Sequence, residues 1–245
     1  MTDAHYRWWH DYWAAEPTNA WPHEADGRGL GRFYRQQAAV LACLLDGHAV
    51  RYALELGCSD GGLFDELNLP GVEYWGVDFR ASKIEAFRAR HPALHLFDAD
   101  AATFRADQRF DLIFSAGVIH LFNPPMLRQH LANAHAMLAD DGILLMTDFA
   151  WSSHHLQQLA WSVARMVRSG SLAGIRNGAL QIANLRHMKP WSRREIVGLG
   201  ARAGFSTEFF GSLVVPGHLT ARMTKTSDDA SMRAPQGWDG QHDRA

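Results

Sequence analysis

The stretch Tyr52-Ala-Leu-Glu-Leu-Gly-Cys-Ser-Asp-Gly-Gly62 constrains this chain more than any other: an apolar run with one acid in it breaks into a glycine-rich turn. A strand that ends in such a turn, with a helix behind it, presents backbone N–H groups at a helix N-terminus and so offers a cofactor cradle. Tyr74-Trp-Gly-Val-Asp78 reads as a second strand closed by an acid, and Asp78 stands 21 residues after Gly57. An acid about 20 residues on is where a nucleotide-binding βαβ unit holds a ribose diol. The expected ligand is therefore an adenosine-type cofactor.

Two residues narrow that expectation. A dinucleotide fingerprint wants glycine where this chain has Ser59, because the backbone must come close to a pyrophosphate there. Glu55 is a charge that a parallel strand buried on both faces does not carry without a partner. An acid near a strand's carboxyl end suits a ligand with an ammonium group.

Strands are expected at 51–57, 73–78, 93–97, 110–116 and 142–148, with helical patterns between them. That alternation is the signature of a parallel sheet covered by helices on both faces. A last antiparallel pair is expected at 205–213 and 218–225, around a turn at Pro216-Gly217. Residues 1–50 read as a helical cap, since Tyr6, Trp9 and Trp13, then Phe33, Gln37, Val40, Leu41, Leu44 and Leu45 recur at helical spacing around a loop from Pro17 to Gly31. Residues 151–190 form an insertion with an apolar helical pattern. Ser192 and Glu195 make a capping box that opens a helix ending near Gly204. The polar, aperiodic residues 227–245 are expected to be disordered.

The order of these pieces across residues 51–149 resembles the class I S-adenosylmethionine-dependent methyltransferases. Glu55, Gly57, Ser59 and Gly61 match that family's acid and G-x-G-x-G turn, with serine in place of the middle glycine. Asp78 matches its second-strand acid, and Asp100-Ala101 its acid-plus-small pair. Phe110-Asp-Leu-Ile-Phe-Ser-Ala116, followed by Gly117-Val-Ile-His-Leu-Phe122, matches the fourth strand and its exit.

The resemblance implies a Rossmann-like α/β fold: a seven-stranded, mostly parallel sheet with a terminal antiparallel hairpin, helices on both faces and an N-terminal helical cap. The methyltransferase domain would span 51–226, with the 151–190 insertion shaping the acceptor pocket. The implied cofactor is S-adenosyl-L-methionine, leaving S-adenosyl-L-homocysteine as product. Gly57, Cys58, Ser59 and Gly61 would cradle it while Glu55 orients its methionine end. Asp78 would accept the ribose hydroxyls. Asp100, with Asp98 as competitor, would accept the adenine amino hydrogen beside Ala101, and Phe79 would lie on the adenine face. Ser115 and Ala116 would sit beneath the sulfur.

A methyl on a sulfonium is already activated, so the protein must align the acceptor, exclude water and manage one proton. His120, just past the fourth strand on the edge where sheet crevices open to ligands, is the candidate base, because an imidazole exchanges a proton near neutral pH. A packed histidine is the alternative. The cluster Tyr6, Trp8, Trp9, Tyr12, Trp13 and Trp21 reads either as a helix packed on the sheet edge or as a lid whose rings face a cation. On the second reading Tyr12, Trp13, Tyr34 and Arg35 are substrate-binding candidates.

A formal net charge of -2 gives no global attraction to nucleic acid or to an anionic membrane surface. Between Trp151 and Gly204, however, eight basic residues face the single acid Glu195, a field suited to an anionic acceptor. Two cysteines, Cys43 and Cys58, fit a reducing compartment. The N-terminus shows no signal-peptide pattern, and no apolar run approaches the roughly 18 residues of a membrane span, so a cytoplasmic location is expected. The histidines lack ligand spacing with a carboxylate, and no metal is expected. The expected partners are a small-molecule acceptor and a second copy in a homodimer, with neither membrane nor nucleic acid.

Gly57-Cys-Ser-Asp-Gly61 also satisfies the G-x-S-x-G elbow of hydrolases, but that elbow should follow several strands and only a helical segment precedes it here. Asn123-Pro-Pro-Met126 is similar to an amine-methylating motif, yet begins eight residues after Ser115 and suits a helix start. The expected activity is methyl transfer to an oxygen or nitrogen of a small, anionic or aromatic metabolite. A nucleic-acid or protein N-methyltransferase and a catalytically silent cofactor-binding subunit are the alternatives.

Overall fold

The structure, a computed structural model, describes residues 7–8, 11, 29–149, 163–164, 189, 191–211 and 218–226. Its strands are β1 (Tyr52–Leu56), β2 (Glu73–Asp78), β3 (His95–Asp98), β4 (Phe110–Ala116), β5 (Leu138–Phe149), β6 (Phe205–Gly211) and β7 (His218–Lys225). The helices are α1 (Gly29–Leu44), α2 (Gly62–Glu66), α3 (Ala81–Arg90), α4 (Pro124–Met137) and α5 (Arg193–Arg202). One sheet holds the strands in the order β3-β2-β1-β4-β5-β7-β6. β1 to β5 run parallel, and β7 is antiparallel to both β5 and β6. This is the Rossmann-like architecture that the resemblance implied, and its parallel part is the sheet expected from the alternating pattern.

Successive strand residues divide between two cores, as a period of two demands. Leu54, Leu56, Val77, Ile113, Leu144 and Met146 face Leu127, Leu131, Ile196 and Leu199 of α4 and α5. Ala53, Tyr74, Leu112, Phe114 and Leu145 face Leu41, Leu63, Ile84 and Phe87 of α1, α2 and α3. Burial on both faces explains why the strands read as nearly continuous apolar runs. Two helix starts are written in side chains. Asn123 caps α4 by accepting from Met126 N at 2.9 Å, ahead of two prolines that tolerate the first turn. Ser192 and Glu195 close the expected capping box of α5, at 3.2 and 2.8 Å.

Three element starts lie two or more residues from expectation. β3 starts at His95 rather than 93, because His91-Pro92 turns the chain after α3 and Leu94 N bonds back to His91 O. β5 starts at Leu138 rather than 142, directly after α4, and draws in Asp140-Asp141-Gly142. A register shift between Phe110 and Leu112 absorbs the extra length, and Gly142 packs so close that a Cβ would stand 2.9 Å from Phe110 O. α1 starts at Gly29, inside the stretch read as loop. The Pro216-Gly217 turn, the 227–245 tail and nearly all of the 151–190 insertion lie outside the described residues. No helix among the described residues is long and apolar enough to cross a membrane.

Candidate functional site

The parallel strands β3, β2, β1 and β4 end on one edge, which gathers the 57–62 turn, Asp78 to Arg80, Asp98 to Ala102 and Ser115 to Gly117. Backbone bonds knit these exits together. Gly57 N and Cys58 N both donate to Val77 O (2.7 and 2.9 Å), Ala99 N to Asp78 O (3.1 Å) and Gly117 N to Thr147 O (2.8 Å).

The turn contains three residues with left-handed backbone: Gly57 (φ 86), Ser59 (φ 51) and Gly61 (φ 86). A Cβ on Gly57 would stand 2.4 Å from Val118 Cγ2, and one on Gly61 2.3 Å from the buried Phe87 ring. Gly61→Ala therefore combines a clash with a disfavoured φ and is expected to cost about 2–4 kcal/mol in urea unfolding. A wild-type midpoint would contradict the packing described here. Ser59 takes the same backbone region as the glycines on either side of it in spite of its Cβ.

Asp78 is buried at the end of β2. Its Oδ2 accepts from Ser59 N (2.9 Å), and its Oδ1 accepts from Arg80 N (3.0 Å) and Arg80 Nε (3.1 Å). Among the described residues these three bonds fill most of the roughly four lone-pair sites of a carboxylate and leave one for a ligand hydroxyl. Arg80 Nη2 also donates to Ser59 Oγ at 2.7 Å, so one guanidinium spans the acid and the turn.

Glu55 lies wholly inside, on the face shared with Tyr74, whose hydroxyl donates to Glu55 Oε2 at 2.5 Å. Burial pushes the Glu55 carboxyl up to about 8, against the opposing hydrogen bond from Tyr74, with the nearby Asp78 charge adding to the rise. Glu55 is thus mostly a neutral acid at pH 7. Burial likewise raises the Cys58 thiol far above its ordinary range, so it stays protonated.

After β3, Asp100 Oδ1 accepts from Ala102 N at 2.7 Å and Asp100 O receives Thr103 N and Phe104 N, which makes Asp100 the organiser of a turn. Asp98 is exposed and pairs in register with Asp78. The Asp100 turn is pinned from α4. His130 Nδ1 lies 2.9 Å from Ala101 O and Asn133 Nδ2 donates to Ala102 O at 3.4 Å. A carbonyl only accepts, so Nδ1 carries the hydrogen, and burial lowers the His130 pKa to keep the ring neutral. Phe79 is half-buried beside Asp78.

At the end of β4 the Ser115 hydroxyl is buried with no hydrogen-bond partner among the described residues. Ala116 is half-buried, and no heavy atom of the described residues lies within 4 Å of where a Cβ on Gly117 (φ 70) would sit. An unsatisfied buried hydroxyl beside open space fits a ligand with polar atoms at this edge. His120 is buried in the short 3-10 turn Ile119–Leu121, whose carbonyls accept Lys189 N at His120 (2.9 Å) and the Trp191 indole at Ile119 (2.8 Å).

Of the acceptor candidates, Tyr34 packs on the turn so tightly that a Cβ on Gly62 would stand 2.3 Å from its ring. Arg35 is exposed and pairs with Glu66 at 3.4 Å. Tyr12 and Trp13 lie outside the described residues. Sequence reasoning missed Tyr74, Arg80 and His130. Tyr74 had a signal, because it stands four residues before Asp78 on the same strand face. Arg80, two residues past the acid, and His130, on a helix far along the chain, had none. Among the described residues no group of three or more His, Cys, Asp or Glu side chains gathers for a metal.

Residues 54–144 match the protein family described as a methyltransferase domain. The chain is 32% identical over 109 residues to the trans-aconitate 2-methyltransferase of Methylobacterium radiotolerans, a match covering 44% of this chain and 41% of that protein. It therefore spans less than half of that relative's length. Two solved structures share the fold. The N-methyltransferase NodS of Bradyrhizobium japonicum WM9, in complex with S-adenosyl-L-homocysteine, superposes with TM-score 0.62 at 17% identity, covering 92% of this chain and 100% of that one. The amino pentose methyltransferase CalS10 of Micromonospora echinaspora gives TM-score 0.61 at 14% identity, covering 80% and 94%.

Proposed function

We propose that this chain, whose residues 54–144 match the family described as a methyltransferase domain, is a class I S-adenosylmethionine-dependent methyltransferase that transfers a methyl group from S-adenosylmethionine to an oxygen or nitrogen of a small, anionic metabolite. The observation that carries the reading is the convergence on one sheet edge of the left-handed 57–62 turn, Asp78 with one lone-pair site to spare, and Ser115 beside the open Gly117. Bound there, S-adenosylmethionine supplies a methyl on a sulfonium that needs no further activation.

The protein's residues do the rest. The turn would offer N–H groups, Asp78 would accept a sugar hydroxyl, and Asp100 and Ala101 would border the base. Ser115, Ala116 and Gly117 would leave room at the reacting centre. Glu55 would exchange its proton for an ion pair with the amino-acid ammonium. His120 would take the proton of a hydroxyl or amine acceptor, whereas an ionised carboxylate has none to give. The similarity to a trans-aconitate methyltransferase supports a small carboxylate as acceptor, and so does the excess of basic residues between Trp151 and Gly204.

The test is transfer of labelled methyl to a panel of di- and tricarboxylates, aromatic acids and amines. Label in a small carboxylate supports the reading. Binding of S-adenosylhomocysteine with no transfer to any acceptor would instead favour a silent cofactor-binding subunit. With a hydroxyl or amine acceptor in hand, His120→Ala is expected to lower kcat about 100-fold while the S-adenosylhomocysteine Kd stays within about twofold. An unaffected kcat would remove His120 as the base.

A further inference from the structure

Ser59 is the one residue other than glycine with a positive φ among the described residues, and it stands in the middle of the turn between two left-handed glycines. Side chains with a Cβ pay for that backbone region unless their surroundings impose it. Two bonds impose it here. Ser59 N donates to Asp78 Oδ2 at 2.9 Å, and Ser59 Oγ accepts from Arg80 Nη2 at 2.7 Å. Arg80 is itself fixed, because its Nε and backbone N both reach Asp78 Oδ1 and its side chain is only 14% exposed. The planar guanidinium can address the carboxylate and the hydroxyl at once because its N–H donors form a rigid fork, which a lysine ammonium would not reproduce.

We propose that Arg80 is a positioning residue that holds the cofactor-cradling turn in its left-handed shape, supplying through Ser59 the constraint that makes a serine workable where glycine would otherwise be needed. The proposal rests on the reading of this turn as the cradle of S-adenosylmethionine. Arg80 and Ser59 then form a functional pair: the arginine matters to ligand affinity because position 59 is serine. It acts through the Ser59 hydroxyl on the turn's backbone amides.

A double-mutant cycle tests this, with S-adenosylhomocysteine as the calorimetric probe and amide hydrogen exchange of the 57–62 segment as a second readout. Arg80→Ala is expected to raise Kd about tenfold and to speed exchange of the turn amides. In the Ser59→Gly background the same replacement should raise Kd less than threefold and leave exchange nearly unchanged. Arg80→Lys should behave like Arg80→Ala in both readouts.

Equal losses of affinity in the two backgrounds would overturn the proposal, since Arg80 would then act on the ligand or through Asp78 and not through Ser59. Tighter binding by Arg80→Ala would overturn it as well, because the guanidinium would then be a competitor for Asp78. If the wild-type chain bound no S-adenosylhomocysteine, the cofactor reading would fall by itself. Exchange would still decide the pairing: acceleration in Arg80→Ala that disappears with Ser59→Gly supports it, and equal acceleration in both contradicts it.

Discussion

Asp78→Ala is expected to abolish binding of S-adenosylhomocysteine, with a rise in Kd of at least about 100-fold by calorimetry. Two losses add up. The direct one is the acceptor for a sugar hydroxyl, a hydrogen bond to a charged group worth about 1.5–3 kcal/mol. The indirect one is the anchor of the cradle, since the Asp78 carboxylate holds Ser59 N, Arg80 N and the Arg80 guanidinium together. Removing it leaves a guanidinium that is 14% exposed without its carboxylate. Breaking a buried pair from one side destabilises by roughly 3–5 kcal/mol, so the melting temperature should fall too. Asp78→Asn separates the two losses. It keeps an acceptor oxygen and removes the charge, and should fall between wild type and Asp78→Ala in both affinity and stability. Unchanged affinity in Asp78→Ala would eliminate the sugar-binding role.

The second large effect concerns Glu55. In the folded chain its carboxyl titrates at about 8, while in the unfolded chain it titrates near its ordinary 4.5. The folded state therefore keeps a proton that the unfolded state gives up. Stability from this group is complete below pH 4.5, declines as pH rises, and is lost once pH passes about 8. Glu55→Gln keeps the polar partner for Tyr74 and removes the titration. Its stability relative to wild type should rise between pH 6 and pH 9, by on the order of a few kcal/mol. Urea unfolding at both pH values measures this, and parallel curves would contradict the assignment. The same proton appears in binding. At pH 7 an ammonium brought to Glu55 displaces the proton, so calorimetry in buffers of different ionisation enthalpy should find proton release on binding in wild type and none in Glu55→Gln.

The strand sequences made the fold legible because burial on both faces leaves little room for polar residues, so each strand stands out between glycine- or proline-bearing turns. The Ser192–Glu195 box was equally readable, since capping depends on a fixed local spacing. The start of β5 was not, because Asp140-Asp141-Gly142 looks like a turn locally and becomes strand only through its pairing with β4. In the candidate site, acids at strand ends were visible by position. Their partners were not: Tyr74 reaches Glu55 across two paired strands, Arg80 folds back on Ser59, and His130 holds Ala101 from a helix 29 residues later. Contacts of that kind follow from tertiary packing, which single-sequence periodicity does not encode.

The central claim, that the sheet edge between β1, β2 and β4 holds S-adenosylmethionine, is tested most directly by a crystal structure of the chain with S-adenosylhomocysteine. The account predicts a sugar hydroxyl within about 3 Å of an Asp78 carboxylate oxygen and the sulfur beside Ser115 to Gly117. Ligand bound elsewhere on the molecule, with Asp78 touching only Ser59 and Arg80, would contradict it.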